Sequence, residues 1–145
     1  MKRHQTLAHL SRDHHPALIL AQVLKQNAPA YKGLPTDTLG KIGYAQKFYR
    51  EELITHFEQE EKMMEVITGI SDEMDEKIKE IKADHVVLRS LFSGLSNHED
   101  AIPAMDTLGM QLEKHIRKEE RELFPLIETT CDEQMMASIE KLLTS

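Results

Sequence analysis

Two short stretches of the chain pair a histidine with a glutamate four residues later: His56 with Glu60, and His115 with Glu119. Residues four apart lie on the same face of an α-helix, so an imidazole and a carboxylate at this spacing can approach one metal ion together. The spacing alone is weak evidence, because 8 His and 17 Glu in 145 residues produce about one such pair by chance. The pairs therefore count only if they lie on the buried faces of their helices.

Both pairs do lie on apolar helical faces, with an apolar residue one turn before the histidine and another about one turn after the glutamate. These flanking residues are Leu53 and Met63 around the first pair, and Leu112 and Leu123 around the second. The second and fourth predicted helices therefore match each other. Each half of the chain contributes one helix with a central histidine and glutamate.

Two further histidines, His14 and His85, lie on the apolar stripes of the first and third predicted helices. Apolar residues occur at the same five offsets from each, and an aspartate directly precedes each. His15 is the alternative to His14, but counting from His15 places Gln22 and Lys25 on the core face. The pattern therefore favours His14 as the inward residue.

Four imidazoles and two carboxylates at one depth of a helical protein would form a metal site. Two buried glutamates that face each other cost several kcal/mol per uncompensated charge, and no Lys or Arg lies on the inward stripes to neutralise them. The ligand types suit iron, manganese or zinc. Six ligands exceed the tetrahedral capacity of one zinc ion, which favours two metals bridged by Glu60 and Glu119, with positions left open for a small ligand.

The apolar periodicity and the turn residues predict the helices that must position these side chains. We expect four long helices and a short fifth one: 6–26, 36–68, 71–95, 103–129 and 133–143. Residues 27–36 and 96–103 are predicted to be connections, with His98 at the surface. Short connections favour an all-α, antiparallel up-down four-helix bundle with a short additional C-terminal helix. Residues 1–145 are predicted to form a single domain.

Composition limits the functional classes. The net charge of −7 argues against binding to nucleic acid or to an anionic membrane surface. The N-terminus lacks the apolar segment of a signal peptide, and no apolar run is long enough to span a membrane, so we expect a cytoplasmic protein. The single cysteine, Cys131, excludes an intramolecular disulfide and a thiolate-clustered zinc site. The oligomeric state is not predicted.

The motifs together resemble the hemerythrin-type (HHE) cation-binding domain. They are Asp13-His14, His56-x-x-x-Glu60, Asp84-His85-x-x-Leu88-Arg89 and His115-x-x-x-Glu119-Glu120-x-Glu122-Leu123-Phe124-Pro125. The resemblance implies an antiparallel four-helix bundle that holds two non-haem iron ions in an oxo- or hydroxo-bridged di-iron centre. Carried over to this chain, the metal ligands would be His14, His56, Glu60, His85, His115 and Glu119. A small diatomic molecule, O2 or NO, would be the partner.

Two positions depart from the pattern of oxygen-carrying hemerythrins. Arg89 lies where those proteins have a fifth histidine, and Glu119 lies four residues after its histidine instead of five. The set of four histidines and two glutamates is instead similar to di-iron proteins that repair iron–sulfur clusters. We expect Glu58, Glu61 and Glu120, one or two positions along from the bridging glutamates, to point off the inward stripe, so replacing any of them should have far less effect.

Three functions remain open from the sequence. The first is a di-iron protein that binds or senses O2 or NO, or holds iron. The second is an enzyme, either of the iron–sulfur-cluster repair type or an oxidase; the absence of the Glu-x-x-His motif counts against a ferritin-like oxidase. The third is a metal-free helical interaction module, which the two buried glutamates disfavour.

Overall fold

A computed structural model describes residues 2–26, 28–95 and 100–144, and its regular elements are helices. They are α1 (Gln5–Leu24), α2 (Thr38–Phe48), α3 (Ile54–Val66), α4 (Asp72–Ser93), α5 (Ala101–Lys118), α6 (Phe124–Thr130) and α7 (Glu133–Thr144). The prediction of an all-α protein is confirmed for these residues. His98 and the other residues at 96–99 lie outside the described part of the chain, so the prediction for His98 has no structural counterpart.

Helices α2, α4 and α7 begin after polar residues whose side chains accept hydrogen bonds from the free N–H groups of the first turn. The side chain of Asp37 accepts from the backbone N–H of Gly40 at 3.0 Å, and Ser71 accepts from Met74 at 3.1 Å. Asp132 accepts from the N–H of Met135 at 2.8 Å ahead of α7. These three starts agree with the starts predicted from sequence.

Two π-helical segments, Tyr49–Leu53 and Glu119–Leu123, join α2 to α3 and α5 to α6 without a break. In each segment a backbone N–H donates to the carbonyl five residues earlier: Ile54 to Tyr49, and Phe124 to Glu119. The second and fourth long helices predicted from sequence therefore exist as continuous helical runs, 38–66 and 101–130. Each run contains one wide turn that the α-helical spacing did not predict, and such turns are frequent at functional sites.

The apolar core is divided into two clusters by a layer of polar side chains. One cluster includes Leu20, Leu24, Phe92, Leu108 and Leu112. The other includes Leu7, Met64, Met74, Ile127 and Ile139. Helices α1 and α4 and both long runs pass through the two clusters, so each has buried apolar residues before and after its buried polar ones. Helix α7 packs on α1 and α3 and contributes to the second cluster.

The helices that carry the polar layer contact one another in a closed order: α1 with α3, α3 with α4, α4 with α5, and α5 with α1. The contact between α1 and α5 is close because Gly109 has no side chain. A Cβ atom at Gly109 would lie 2.6 Å from the carbonyl oxygen of Ala21. Among the described helices, none is both long and apolar enough to cross a membrane.

Candidate metal centre

Six polar side chains are buried at the middle of the helices. His14 comes from α1, His56 and Glu60 from α3, His85 from α4, His115 from α5, and Glu119 is the first residue of the second π-helical segment. Each is at most 4% exposed, and both glutamates are fully buried. The six residues are those that the sequence patterns selected. His15, the alternative to His14, is exposed.

The six side chains form two groups that share both glutamates. His14 and His56 converge with Glu60 and Glu119 in one group, and His85 and His115 converge with the same two glutamates in the other. In each group, one ligand atom from every residue lies within 4.8 Å of the others. Each group is large enough for one cation and rich enough in donors to bind it.

Each glutamate directs one carboxylate oxygen to each group. Oε1 of Glu119 lies 2.9 Å from Nε2 of His14, and Oε2 lies 3.3 Å from Nε2 of His115. Glu60 repeats this arrangement, with Oε2 at 3.2 Å from Nε2 of His56 and Oε1 at 3.1 Å from Nε2 of His85. A carboxylate so placed can bridge two cations.

Most of these converging atoms lack a hydrogen-bond partner, although they are buried. They are Nε2 of His14, His56 and His115, Oε2 of Glu60, and both carboxylate oxygens of Glu119. Buried polar atoms are nearly always hydrogen-bonded, and leaving one unpaired costs free energy. Imidazole nitrogens and carboxylate oxygens are ligands of iron, manganese and zinc, so the unpaired atoms fit a cation in each group.

Comparison with known proteins agrees with this geometry. The family model of the hemerythrin HHE cation-binding domain matches residues 5–142. The chain belongs to this family. Neither the comparison with curated proteins nor the comparison with solved structures gives a match. The resemblance predicted from the sequence motifs is thereby confirmed over nearly the whole chain.

In this HHE domain, a carboxylate from a neighbouring helix binds the second nitrogen of every buried histidine. The Nδ1 distances are 2.7 Å from His14 to Glu120, 3.0 Å from His56 to Asp13, 2.8 Å from His85 to Glu61, and 3.0 Å from His115 to Asp84. Together the four contacts join α1, α3, α4 and the second long run in a closed circle, which we call the histidine–carboxylate ring. Such contacts fix the orientation of an imidazole and direct Nε2 to a metal.

Glu61 and Glu120 lie outside both ligand groups and off the inward stripe. Both contact a buried histidine, because the residue after an inward glutamate is turned by about 100° and faces the adjacent helix. Glu58 is exposed, as expected. Arg89, at the position of the fifth histidine in oxygen carriers, does not approach the ligand cluster but binds Glu61 through two N–H groups at 2.7 and 3.0 Å.

Glu119 and the four histidines shift each other's pKa values. Burial lowers the pKa of His14 and His85, but the carboxylates around them outweigh it and raise the pKa of each to about 9. For His115, Glu119 and Asp84 overcome the same effect of burial and raise the pKa to about 10. Burial raises the pKa of Glu119, but His115, His14 and His85 hold it well below the usual value. In the absence of metal, protons on the imidazoles therefore balance the buried carboxylates.

Proposed function

We propose that this HHE domain holds two non-haem iron ions. One ion would be bound by His14 and His56, the other by His85 and His115, and Glu60 and Glu119 would bridge them. The observation that carries the proposal is the position of each buried carboxylate, with one oxygen directed to each histidine pair. A single cation would leave one pair of imidazoles and one side of both carboxylates without a partner.

We also infer that the helices form an antiparallel up-down four-helix bundle with α7 added. Contacts between α1 and the second long run, 101–130, support this arrangement, because residue numbers rise along one and fall along the other. The side chains of Arg3, Ser11 and Lys25 bind Glu128, Glu120 and Glu113 in that order. The same reversal holds between α4 and the second long run, where Lys77 binds Glu122 and Asp84 binds Lys118. The single-domain organisation and the cytoplasmic location stay predictions.

The proposed activity is the binding or sensing of O2 or NO, or the storage of iron. A di-iron centre supplies one-electron redox chemistry and coordination positions for a small ligand. The chain would contribute six buried ligands, so two histidines and the shared carboxylates would leave positions free on each metal. Phe57 and Phe124 are buried beside the histidines and keep bulk water from the centre. An iron–sulfur-cluster repair enzyme or an oxidase is the alternative.

Metal analysis tests the proposal most directly. Protein produced in iron-rich medium and purified without chelator should contain about two iron atoms per chain, since each histidine pair would hold one. His56→Ala should lose iron, whereas His15→Ala should keep it, because His15 is an exposed histidine next to a buried one. A single tetrahedral zinc, or no metal at all, would overturn the di-iron proposal.

The optical spectrum separates binding from catalysis. If the protein binds or senses a small molecule, one equivalent of NO or O2 added to the reduced protein should change the spectrum once, and removal of the gas should reverse the change. Continuous consumption of O2 in the presence of a chemical reductant would instead favour an oxidase. Restoration of a damaged iron–sulfur protein at substoichiometric amounts of the HHE domain would favour the repair function.

A further inference from the structure

Two sets of four side chains repeat the same contacts on opposite sides of the metal centre. Each set contains an arginine, a glutamate, a buried histidine and a phenylalanine that contact one another in a circle. We call these sets the arginine clamps. The first clamp consists of Arg89, Glu61, His85 and Phe57, and the second of Arg3, Glu120, His14 and Phe124.

In the first clamp, every member has two neighbours. Arg89 holds Glu61 through both terminal N–H groups, and the same carboxylate lies 2.8 Å from Nδ1 of His85. The ring of Phe57 stacks on His85, with centroids 4.3 Å apart and an angle of 22° between the planes. The guanidinium of Arg89 closes the circle at 5.5 Å from the centre of the Phe57 ring.

The second clamp reproduces these contacts with residues from other elements. Arg3, which precedes α1, donates to the carbonyl of Glu120 at 2.9 Å and lies 3.4 Å from its carboxylate. That carboxylate lies 2.7 Å from Nδ1 of His14. Phe124 stacks on His14 at 5.6 Å with nearly parallel planes, and Arg3 lies 5.4 Å from the Phe124 ring. Arg3 also binds Glu128 at 2.7 Å.

The clamps restrict the orientation of the imidazole rings of His85 and His14. A stacked phenylalanine restricts the tilt of the histidine ring, and the carboxylate at Nδ1 fixes its rotation. Glu61 and Glu120 are 29% and 30% exposed, so a carboxylate that loses its arginine can turn towards water, although Ser11 also donates to Glu120 at 2.8 Å. The paired N–H groups of Arg89 match the geometry of a carboxylate, and Arg3 holds both the side chain and the carbonyl of Glu120.

We propose that Arg89 and Arg3 are positioning residues of the metal centre, each orienting one histidine through a glutamate. The inference rests on the proposed function in that the oriented histidines are taken as metal ligands. Arg89 then has a role at the position of the missing fifth histidine: it fixes an existing ligand instead of adding one. Arg3 makes the retention of the other metal depend on the segment that precedes α1.

The test uses Arg89→Met and Arg3→Met, which keep much of the side-chain length and remove the charge and the N–H donors. Arg117→Met is the control, because Arg117 is an arginine that pairs with a glutamate, Glu113 at 3.3 Å, and Glu113 contacts none of the buried histidines. Excess chelator is added to the iron-loaded proteins, and iron release is followed in the optical spectrum. We expect release to be roughly 10–100-fold faster in the two clamp variants than in wild type, and unchanged in Arg117→Met.

Thermal unfolding of the chelator-treated proteins distinguishes a role in orienting the histidines from a role in stabilising the fold. Ion pairs that are partly exposed stabilise a fold only weakly, so the three variants should melt within about 4 °C of wild type. Arg89→Lys keeps the charge without the paired N–H geometry, and its rate of iron release should lie between those of wild type and Arg89→Met. Release at the wild-type rate from both clamp variants, or equal acceleration in Arg117→Met, would overturn the proposal.

Nuclear magnetic resonance of the imidazole nitrogens shows which histidine responds, and it does not depend on iron. In chelator-treated protein, Arg89→Met should speed the exchange of the Nδ1 proton of His85 and leave that of His14 unchanged. Arg3→Met should do the reverse. Unchanged exchange in both variants would overturn the proposed role of Arg89 and Arg3 even if the protein binds iron. Failure of the wild-type protein to bind iron would overturn the proposed function and leave this measurement to decide the clamps alone.

Discussion

At the scale of single residues, the centre depends on two glutamates that would be unfavourable in an ordinary apolar core. Glu60 and Glu119 are fully buried, and no lysine or arginine approaches either carboxylate among the described contacts. Their only close charged partners there are histidines, which can be neutral or protonated. A buried carboxylate needs a cation or a proton beside it. The same residues can therefore hold either two metals or a set of protons.

Glu119→Ala should remove both metals, because the substitution takes one oxygen from each group. Glu122→Ala is the matched control, since Glu122 lies on the same π-helical segment, is exposed and binds only Lys77 among the described residues. Iron content after purification without chelator measures the effect. We expect Glu122→Ala to match wild type. Glu119→Ala should lose at least 10–100-fold in metal affinity, the range for substitution of residues that only hydrogen-bond to metal ligands. Full iron content in Glu119→Ala would contradict the bridging arrangement.

Metal affinity should rise with pH. Without metal, His14 and His85 have a pKa of about 9 and His115 a pKa of about 10, so all three are protonated at neutral pH. A histidine binds metal only in its neutral form, and binding therefore releases these protons. The affinity should increase as the pH rises from about 6 towards 9 and level off above the raised pKa values. Competition with a chelator of known pH dependence measures this, and an affinity independent of pH would contradict the assignment.

At the scale of elements, the π-helical segments set the rotation of the helices around the centre. Glu119 begins the second segment, and Leu123 and Phe124, both fully buried, follow its wide turn. Each α-helical residue advances the helix by about 100°, so an added residue rotates everything beyond it by that angle unless a wide turn takes it in. The wide turn places Glu119 in the buried ligand cluster while Phe124 stacks on His14.

Insertion of an alanine after Arg121 should therefore be far more harmful than replacement of Arg121. Arg121 is exposed, so Arg121→Ala should unfold at nearly the same denaturant concentration as wild type. The insertion adds a residue beyond the one that the wide turn already takes in, and it rotates Leu123 and Phe124 by about 100° away from the core. Removing one large aromatic side chain from a core costs about 3–5 kcal/mol, and the insertion should cost at least that much. Equal stability of the two variants in urea would show that the segment can widen further to take in the added residue.

The close contact of α1 with α5 gives a second test at this scale. Gly109→Ala would place a Cβ atom 2.6 Å from the carbonyl oxygen of Ala21, so the helices must separate. We expect a loss of about 1–3 kcal/mol. Gly43→Ala is the control, because the space around Gly43 is open and alanine favours a helix by about 1 kcal/mol over glycine. The midpoint of urea unfolding should therefore fall for Gly109→Ala and rise for Gly43→Ala. Stabilisation by both substitutions would mean that α1 and α5 can move apart at little cost.

The sequence predicts the helices and the burial of the six polar residues because both depend on apolar residues that recur at every helical turn. Apolar residues one turn from His14, His56, His85 and His115 define the buried faces, and the caps at Asp37 and Ser71 define two helix starts. The π-helical segments escape this reasoning, since one added residue in a long helix leaves the apolar stripes nearly intact. The contacts of Glu61, Glu120 and Arg3 escape it as well, because they depend on how neighbouring helices are rotated against each other.

At the scale of the whole molecule, the polar layer lies between two clusters of the core that are packed by apolar side chains. We expect the chelator-treated protein to keep its helical circular dichroism and to unfold cooperatively. If the folded state binds iron as proposed, added iron should raise the melting temperature in proportion to the logarithm of its free concentration above the dissociation constant. Loss of the helical signal on removal of metal would show that the two apolar clusters alone do not keep the protein folded.

The histidine–carboxylate ring has a consequence for the rate at which metal is taken up. The ligand atoms lie behind a circle of contacts that joins four helical segments, and none of the six residues is more than 4% exposed. An ion in solvent can reach them only after one contact of the circle opens. At high iron concentration the loading rate should therefore stop rising and equal the rate of that opening. Stopped-flow loading at increasing iron concentration would then report the internal motion of the protein instead of the frequency of collisions.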